Sequence, residues 1–552
     1  MTCLLGAAGC LLVVACGSPA GGSGVLLHHG KIFTADTARP WAEAVLVRGE
    51  RIVAVGPNDS VMALADGATA IDLEGATVVP GFNDAHVHLY PGPPPVTVVA
   101  DPNPTADPDL ALVLDSLRAA VARTPAGTRL SVSVGERILS DPRARRAALD
   151  AVAPEHRVEL VAWSGHGLVL NSAALAAARV TDDAPDPVGG RYERNARGLT
   201  GLMEEYAGFR AYAQLADTSD AAVREALTAY AAEVLPLGTT SIQIMATAMT
   251  PEAIGRLGSD FSLPLETRII RFPLTTADHR ERDRWRALAG TRGPSLRISG
   301  TKYVLDGTPV ERLAVLRGTY ADRRGWYGRL DFPPDTVRAI LAEAVAGGEQ
   351  PLLHAVGDST VALVLRLMAD VAPDSVWRRL RPRIEHGEGL MPDLFESARR
   401  MGVVLVQNPT HLGLGPMVPA RIGAGERLAT YQPLRSALAA GIPLAFGSDG
   451  PLNPFLNLML AVIHPDNPAE ALTMEQAVRA YTAGSAWAEF REDEKGTLAP
   501  GKLADLAVLS QDIFSVPPPA LMATVSTLTL RAGRPVHDPA GRLSGMTGRA
   551  TP

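Results

Sequence analysis

The chain has 552 residues, 46% of them apolar and 20% charged, with 59 acidic against 52 basic side chains and a net charge of −7. That apolar content excludes wholesale disorder, and the acidic balance argues against nucleic acid as a partner, since its binders carry a basic excess. The length suits two or three domains or one large barrel with additions, and 52 glycines with 44 prolines point to many tight connections rather than a long-helix bundle.

All three cysteines, Cys3, Cys10 and Cys16, lie at the N-terminus, so the body of the chain can form no disulfide framework or thiolate metal site. The first 27 residues carry no charged side chain, and residues 4–15 are an apolar run of signal-peptide length, too short to span a bilayer comfortably. Val13-Val14-Ala15-Cys16 followed by Gly17-Ser18 resembles the lipobox of bacterial lipoproteins. It implies an exported protein whose membrane contact is a lipid anchor at Cys16, with residues 1–24 as signal peptide and flexible tether; a plain secretory signal or a disordered tail is the competing reading. Short β-prone runs at 25–27, 31–34, 44–47, 51–55 and 76–79, beside Gly30, Gly49 and Gly56, predict a small antiparallel sheet. A similar texture returns at 503–509 and 523–530. Both chain ends, 25–81 and 495–540, are therefore expected to build one small β-sandwich, with 541–552 as a tail. Between them, 82–494 alternates strand and helix, the pattern of parallel βα units in an α/β fold. Strands are predicted at 82–89, 239–245, 265–272, 301–306, 351–356, 382–386, 403–407 and 444–449, the eight that close a (β/α)8 TIM barrel. Helical stretches such as 335–346 and 392–401 separate most of them. Two further runs, 130–134 and 158–163, fall outside the count and predict an insertion at about 95–235, after barrel strand one.

The residues at the ends of these strands carry the chemistry, because active sites of such barrels lie at the C-terminal strand ends. Strand one carries His86-Val87-His88, strand four Lys302, strand five His354, strand six His386 and strand eight Asp449. Alternation sends His86 and His88 to the same side, where they can grip one ion together. Imidazoles and carboxylates are natural ligands for zinc and similar divalent ions. A lone buried histidine is usually a satisfied core residue, but four of 12 histidines at strand ends is a pattern of another kind.

Pro80-Gly81-Phe82-Asn83-Asp84-Ala85-His86-Val87-His88 resembles the opening metal motif of the amidohydrolase superfamily. Ser164-Gly165-His166, Asn171-Ser172-Ala173-Ala174-Leu175, Arg383-Ile384-Glu385-His386 and Gly447-Ser448-Asp449 are similar to its family 3, the YtcJ-like group that includes N-substituted formamide deformylases. The closing Gly496-Thr497-Leu498-Ala499-Pro500-Gly501 resembles the superfamily's return to its β-sandwich. The resemblance implies one or two divalent ions, zinc the expected one, with His86, His88 and Asp449 on the first and His354 and His386 on the second. Lys302 falls where many members carry a carboxylated lysine bridging both ions; the competing reading is an ordinary lysine paired with an acid. Asp449 is expected to move a proton, and His166 and His411 either to reach over the mouth toward substrate or to make loop hydrogen bonds only.

Asp306 and Asp358 are expected in loops just past the ligands, Asp358 as a loop cap or anchor. Gln407 and Asn408 either line the substrate site or cap a turn, and the stiff run 91–95 either walls the entrance or is a spacer. His28 and His29 fall outside the ligand pattern. The function expected is hydrolysis of a small-molecule C–N bond in an amide, N-formyl or cyclic amide group. Hydrolytic deamination or phosphoester cleavage on the same barrel, and a non-catalytic solute-binding surface lipoprotein, are the competing readings. The sequence assigns no oligomeric state.

Overall fold

The computed structural model describes residues 24–102, 107–257, 261–274, 280–288, 290–292, 295–415, 417–423 and 425–544. Residues 1–23, including the cysteines and the lipobox-like run, lie outside the described residues, as does the end of the expected tail. Among the described residues no helix is long and apolar enough to cross a membrane.

Eight parallel strands form the centre, in chain order Phe82–His88, Thr239–Met245, Glu266–Arg271, Leu296–Val304, Pro351–Ala355, Arg383–His386, Val404–Gln407 and Leu444–Phe446, each paired with the next. A short strand, Gly290–Arg292, pairs antiparallel with the fourth. Several read as unbroken apolar runs because both faces are covered, one by the barrel interior and one by helices. Leu353, Ile384, Leu405 and Leu444 belong to one continuous buried cluster with Val361, Met368 and Trp377 of the surrounding helices. Between the eighth strand and the first, the seam is held by single contacts. The Asp449 N–H donates to the His86 carbonyl at 2.9 Å, and the Ser448 N–H to Asp84 Oδ1 at 2.9 Å. Gly447 makes this approach possible: a Cβ there would lie 2.4 Å from His86 Cβ.

Strands from both chain ends build two further sheets. One has four strands, Arg51–Gly56, Ala44–Arg48, Gly24–His28 and Ala68–Asp72. The other runs Arg534–His537, Ser526–Arg531, Leu506–Leu509, Thr77–Pro80, Lys31–Phe33 and Trp41–Ala42. Val25, Leu27, Val45 and Ile52 of the first bury with Leu506, Leu528 and Leu530 of the second, the packing of a sandwich. The wholly antiparallel sheet expected from the sequence is corrected here. Gly24–His28 pairs parallel with Ala68–Asp72, and Lys31–Phe33 parallel with Thr77–Pro80. The short helix Asn58–Met62 carries the chain back after the antiparallel turn, so the next strand runs with the first.

The stretch between barrel strands one and two makes its own six-stranded sheet, in the order Gly190–Asn195, Gly198–Glu205, Gly167–Leu170, Arg157–Ala162, Arg129–Val134, Val96–Thr97. It has its own core, in which Val113 and Leu117 of helix Leu110–Val121 pack on Leu130, Val132 and Leu160. Its last strand leads into helix Tyr206–Leu215, whose Tyr206 hydroxyl accepts the N–H of Val304 on barrel strand four at 2.9 Å. Arg329 closes the same junction on Glu204 at 2.8 Å. The insertion is thereby fixed to the barrel beside the ends of its strands.

Candidate metal centre

All eight singled-out side chains gather at the C-terminal ends of the barrel strands. Asp449 Oδ1 lies 3.2 Å from His88 Nε2 and 3.8 Å from His86 Nε2; its Oδ2 lies 3.6 Å from His411 Nε2 and 3.9 Å from His386 Nδ1. Donor atoms of His86, His88 and Asp449 form one compact group, and those of His386, His411 and Asp449 a second. His354 stands outside both groups, with its ring 4.4 Å from that of His386 and its buried Nε2 without a hydrogen-bond partner among the described residues. A buried imidazole nitrogen with no partner costs free energy unless something outside the chain satisfies it. Lys302 Nζ sits 3.4 Å from His86 Nε2, and among the described residues no carboxylate forms an ion pair with it.

The electrostatics suit cation binding. Burial, aided by Lys302, lowers His86 to about 4, and burial also holds His354 and His386 well below the usual range. These three rings are neutral at pH 7, the form in which imidazole offers a lone pair. Burial alone would raise Asp449, but His86, His411 and His88 outweigh it and hold the carboxyl well below its ordinary value. Burial lowers Lys302 to about 8, so part of its population is a neutral amine, the form that can capture carbon dioxide as a carbamate.

Each ring is aimed by a partner, which for His86 and His88 meets the nitrogen turned away from Asp449. Glu385 Oε2 lies 2.6 Å from His86 Nδ1, and Thr247 Oγ1 lies 2.9 Å from His88 Nδ1. Asn408 Oδ1 lies 2.9 Å from His386 Nδ1, while its Nδ2 donates to the Gly447 carbonyl at 3.0 Å. Arg383 grips Glu385 through Nε at 2.6 Å and Nη2 at 2.9 Å, and its Nη1 donates to Gln243 at 2.6 Å. Although burial works against a charged carboxylate, Arg383 and His86 hold Glu385 below its ordinary range. Such partners fix ring orientation and raise ligand basicity.

His166 comes from the insertion. Its ring lies 4.8 Å from that of His354, and its Nδ1 is 2.8 Å from Glu205 Oε2. His411 stacks on His386 at 5.3 Å and meets Glu388 Oε1 at 2.8 Å. Burial disfavours charge on both rings, but Glu205 raises His166 to about 9, and Asp449 with Glu388 raises His411 to about 10. Both are therefore hydrogen-bond donors at neutral pH. Three residues at this site adopt left-handed backbone without being glycine: His386 at φ 68°, Asp449 at φ 52° and Glu205 at φ 53°. Such conformations are costly and persist where the surroundings impose them, characteristically at functional sites.

Glu385, Thr247, Glu205 and Glu388 escaped the sequence reading. Glu385 had a usable signal, because Arg383 and Glu385 alternate onto one side of a buried strand, where two opposite charges must pair. The others lie far along the chain from the rings they hold and left none. Asn408 stands at the N-cap of the 3-10 turn Pro409–Leu414, as the capping reading expected, while its side chain holds the His386 ring instead of bonding the turn. Asp358 is corrected from a loop position to the first residue of helix Asp358–Val371, where its Oδ1 accepts the Arg317 N–H at 2.7 Å. Asp306 accepts the N–H groups of Val315, Val356 and Gly357 and the Thr360 hydroxyl, tying the loops after strands four and five together. Gln407 is fully buried. Pro93 and Pro94 are exposed, directly after the His pair.

A parallel (β/α)8 barrel with neutral imidazoles and an ionised aspartate at its strand ends defines a class, the barrel hydrolases whose donor set suits divalent ions. The Amidohydro_3 amidohydrolase family matches residues 69–537, and the chain belongs to it. It is 27% identical over 538 residues to the putative amidohydrolase YtcJ of Bacillus subtilis, covering 93% of this chain and 99% of that one. It is 27% identical to the N-substituted formamide deformylase of Arthrobacter pascens, covering 88% and 93%. In fold it resembles a metal-dependent hydrolase from Pyrococcus horikoshii, with a TM-score of 0.68 at 20% identity, over 90% of this chain and 99% of that one.

Proposed function

We propose that the protein hydrolyses a C–N bond in a small-molecule amide, N-formyl or cyclic amide. The observation that carries this reading is the meeting of His86, His88, His386 and His411 around the two oxygens of Asp449, beside the unpartnered Nε2 of His354. In the proposed roles His86, His88 and Asp449 would hold a first divalent ion and His354 and His386 a second, and Lys302, as a carbamate, would supply a further oxygen ligand. Zinc is the expected metal. A divalent ion bound there supplies Lewis acidity and lowers the pKa of a water from about 15.7 toward about 7.

The chain's own residues then divide the remaining work. Asp449, ionised at the meeting point of the imidazoles, would take a proton from the attacking water and deliver it to the leaving nitrogen. His166, hydrogen-bonded to Glu205, and His411, hydrogen-bonded to Glu388, donate hydrogen bonds to the substrate oxygen as negative charge develops there. The similarity to a formamide deformylase supports a C–N bond as target. Export with a lipid on Cys16 remains part of the proposal and rests on the lipobox-like sequence alone.

The test pairs elemental analysis of purified protein with a panel of N-formyl amines, cyclic amides, aminated heterocycles and phosphoesters. Release of amine with formate or another carboxylate, together with one or two bound ions per chain, is the expected result. Release of ammonia or phosphate alone would reassign the reaction, and absence of bound metal after growth with zinc, manganese and iron would overturn it.

A further inference from the structure

We propose that His28, His29 and Asp72 form a second, peripheral binding site for a transition-metal ion of the zinc, copper or nickel type. These residues belong to the β-sandwich and take no part in the barrel centre. Strands Gly24–His28 and Ala68–Asp72 run parallel with His28 directly beside Asp72, so both side chains leave the same face of the sheet. The residue after a strand position ordinarily points to the opposite face. His29 instead adopts φ 54°, and its ring returns beside that of His28 with centroids 4.4 Å apart.

Three donor atoms converge as a result. His28 Nδ1 lies 3.1 Å from His29 Nδ1, which lies 2.9 Å from Asp72 Oδ2, and the donor atoms of the three residues lie within 4.8 Å of one another. Tetrahedral zinc with bonds of about 2.0–2.1 Å separates neighbouring ligand atoms by about 3.3 Å, so the triad needs little adjustment to close on an ion. A single imidazole proton serves only part of this three-cornered contact, whereas a cation satisfies all three lone pairs. The triad is also braced. The Glu74 N–H donates to Asp72 Oδ1 at 2.9 Å, leaving Oδ2 for the site, and the His29 N–H donates to Asn58 Oδ1 at 2.8 Å, holding the turn.

Two imidazoles and one carboxylate match zinc, copper or nickel, while magnesium and calcium require oxygen ligands. The side chains of His29 and Asp72 are each 50% exposed, which leaves solvent access and room for water in the remaining coordination position. Ala68–Asp72 is the edge strand of its sheet, so an ion here ties that edge to its neighbour.

Equilibrium dialysis of the full chain against zinc, with elemental analysis and thermal melting, tests this on wild type, His29→Ala and Asp72→Asn. Wild type should bind one zinc equivalent more than His29→Ala, and Asp72→Asn should weaken that equivalent at least tenfold. Both variants should keep the ions of the barrel centre. Zinc should raise the melting temperature of wild type more than that of either variant. If His29→Ala does not fold, the near-isosteric Asp72→Asn decides the question. Equal stoichiometry and affinity in wild type and Asp72→Asn would overturn the proposal.

Discussion

Asp449 faces four imidazoles of the centre, those of His86, His88, His386 and His411. Its replacement separates binding from proton transfer. Asp449→Asn keeps an oxygen for weak coordination and should retain much of the metal, yet hydrolysis should fall by roughly 10²–10⁴, the contribution of a positioned proton carrier. Turnover within about tenfold of wild type would exclude that role. Lys302→Ala should behave in the opposite sense, losing metal by elemental analysis, with partial recovery of metal and activity on adding a short-chain carboxylate. Glu385→Gln removes the charge that His86 Nδ1 leans on and should weaken metal affinity by about 10–100-fold, measured by competition with a chelator.

At the scale of the element, strand alternation explains both what the sequence revealed and what it concealed. His86 and His88 sit two apart on one strand, and that spacing alone placed both rings together. His386 disobeys the same rule: it follows Glu385, whose side chain meets His86 within the barrel, and alternation would send it outward with Ile384. Its left-handed φ of 68° turns it back, so that its ring lies 4.8 Å from that of His86. Pattern reading placed it correctly as a strand-end residue but gave no reason for its direction. The parallel pairings in the sandwich were likewise hidden, because a short β run looks alike whichever way its neighbour runs. The seam between the eighth strand and the first depends on Gly447, whose lack of a side chain admits the backbone of His86. Gly447→Ala should therefore lower stability by about 1–3 kcal/mol, seen as a lower melting temperature, and disturb the metal site with it.

In the whole molecule, the insertion supplies His166 and Glu205 to a centre otherwise built by the barrel, so changes in that module should alter substrate preference while leaving metal content unchanged. At the N-terminus, Cys16→Ser should release the protein from the membrane fraction or halt its maturation; identical fractionation of variant and wild type as soluble cytoplasmic protein would end the lipoprotein proposal. The sandwich built from both chain ends also sets an order of events during synthesis. Thr77–Pro80 pairs with Leu506–Leu509 across the entire length of the barrel sequence. A ribosome adding about 5–20 residues per second needs some tens of seconds to supply that partner. Throughout that interval Val78 and Val79, fully buried at the end, belong to an unfinished strand whose edge is open to any neighbouring chain. The nascent protein must therefore be shielded longest at the part of the fold that is made first.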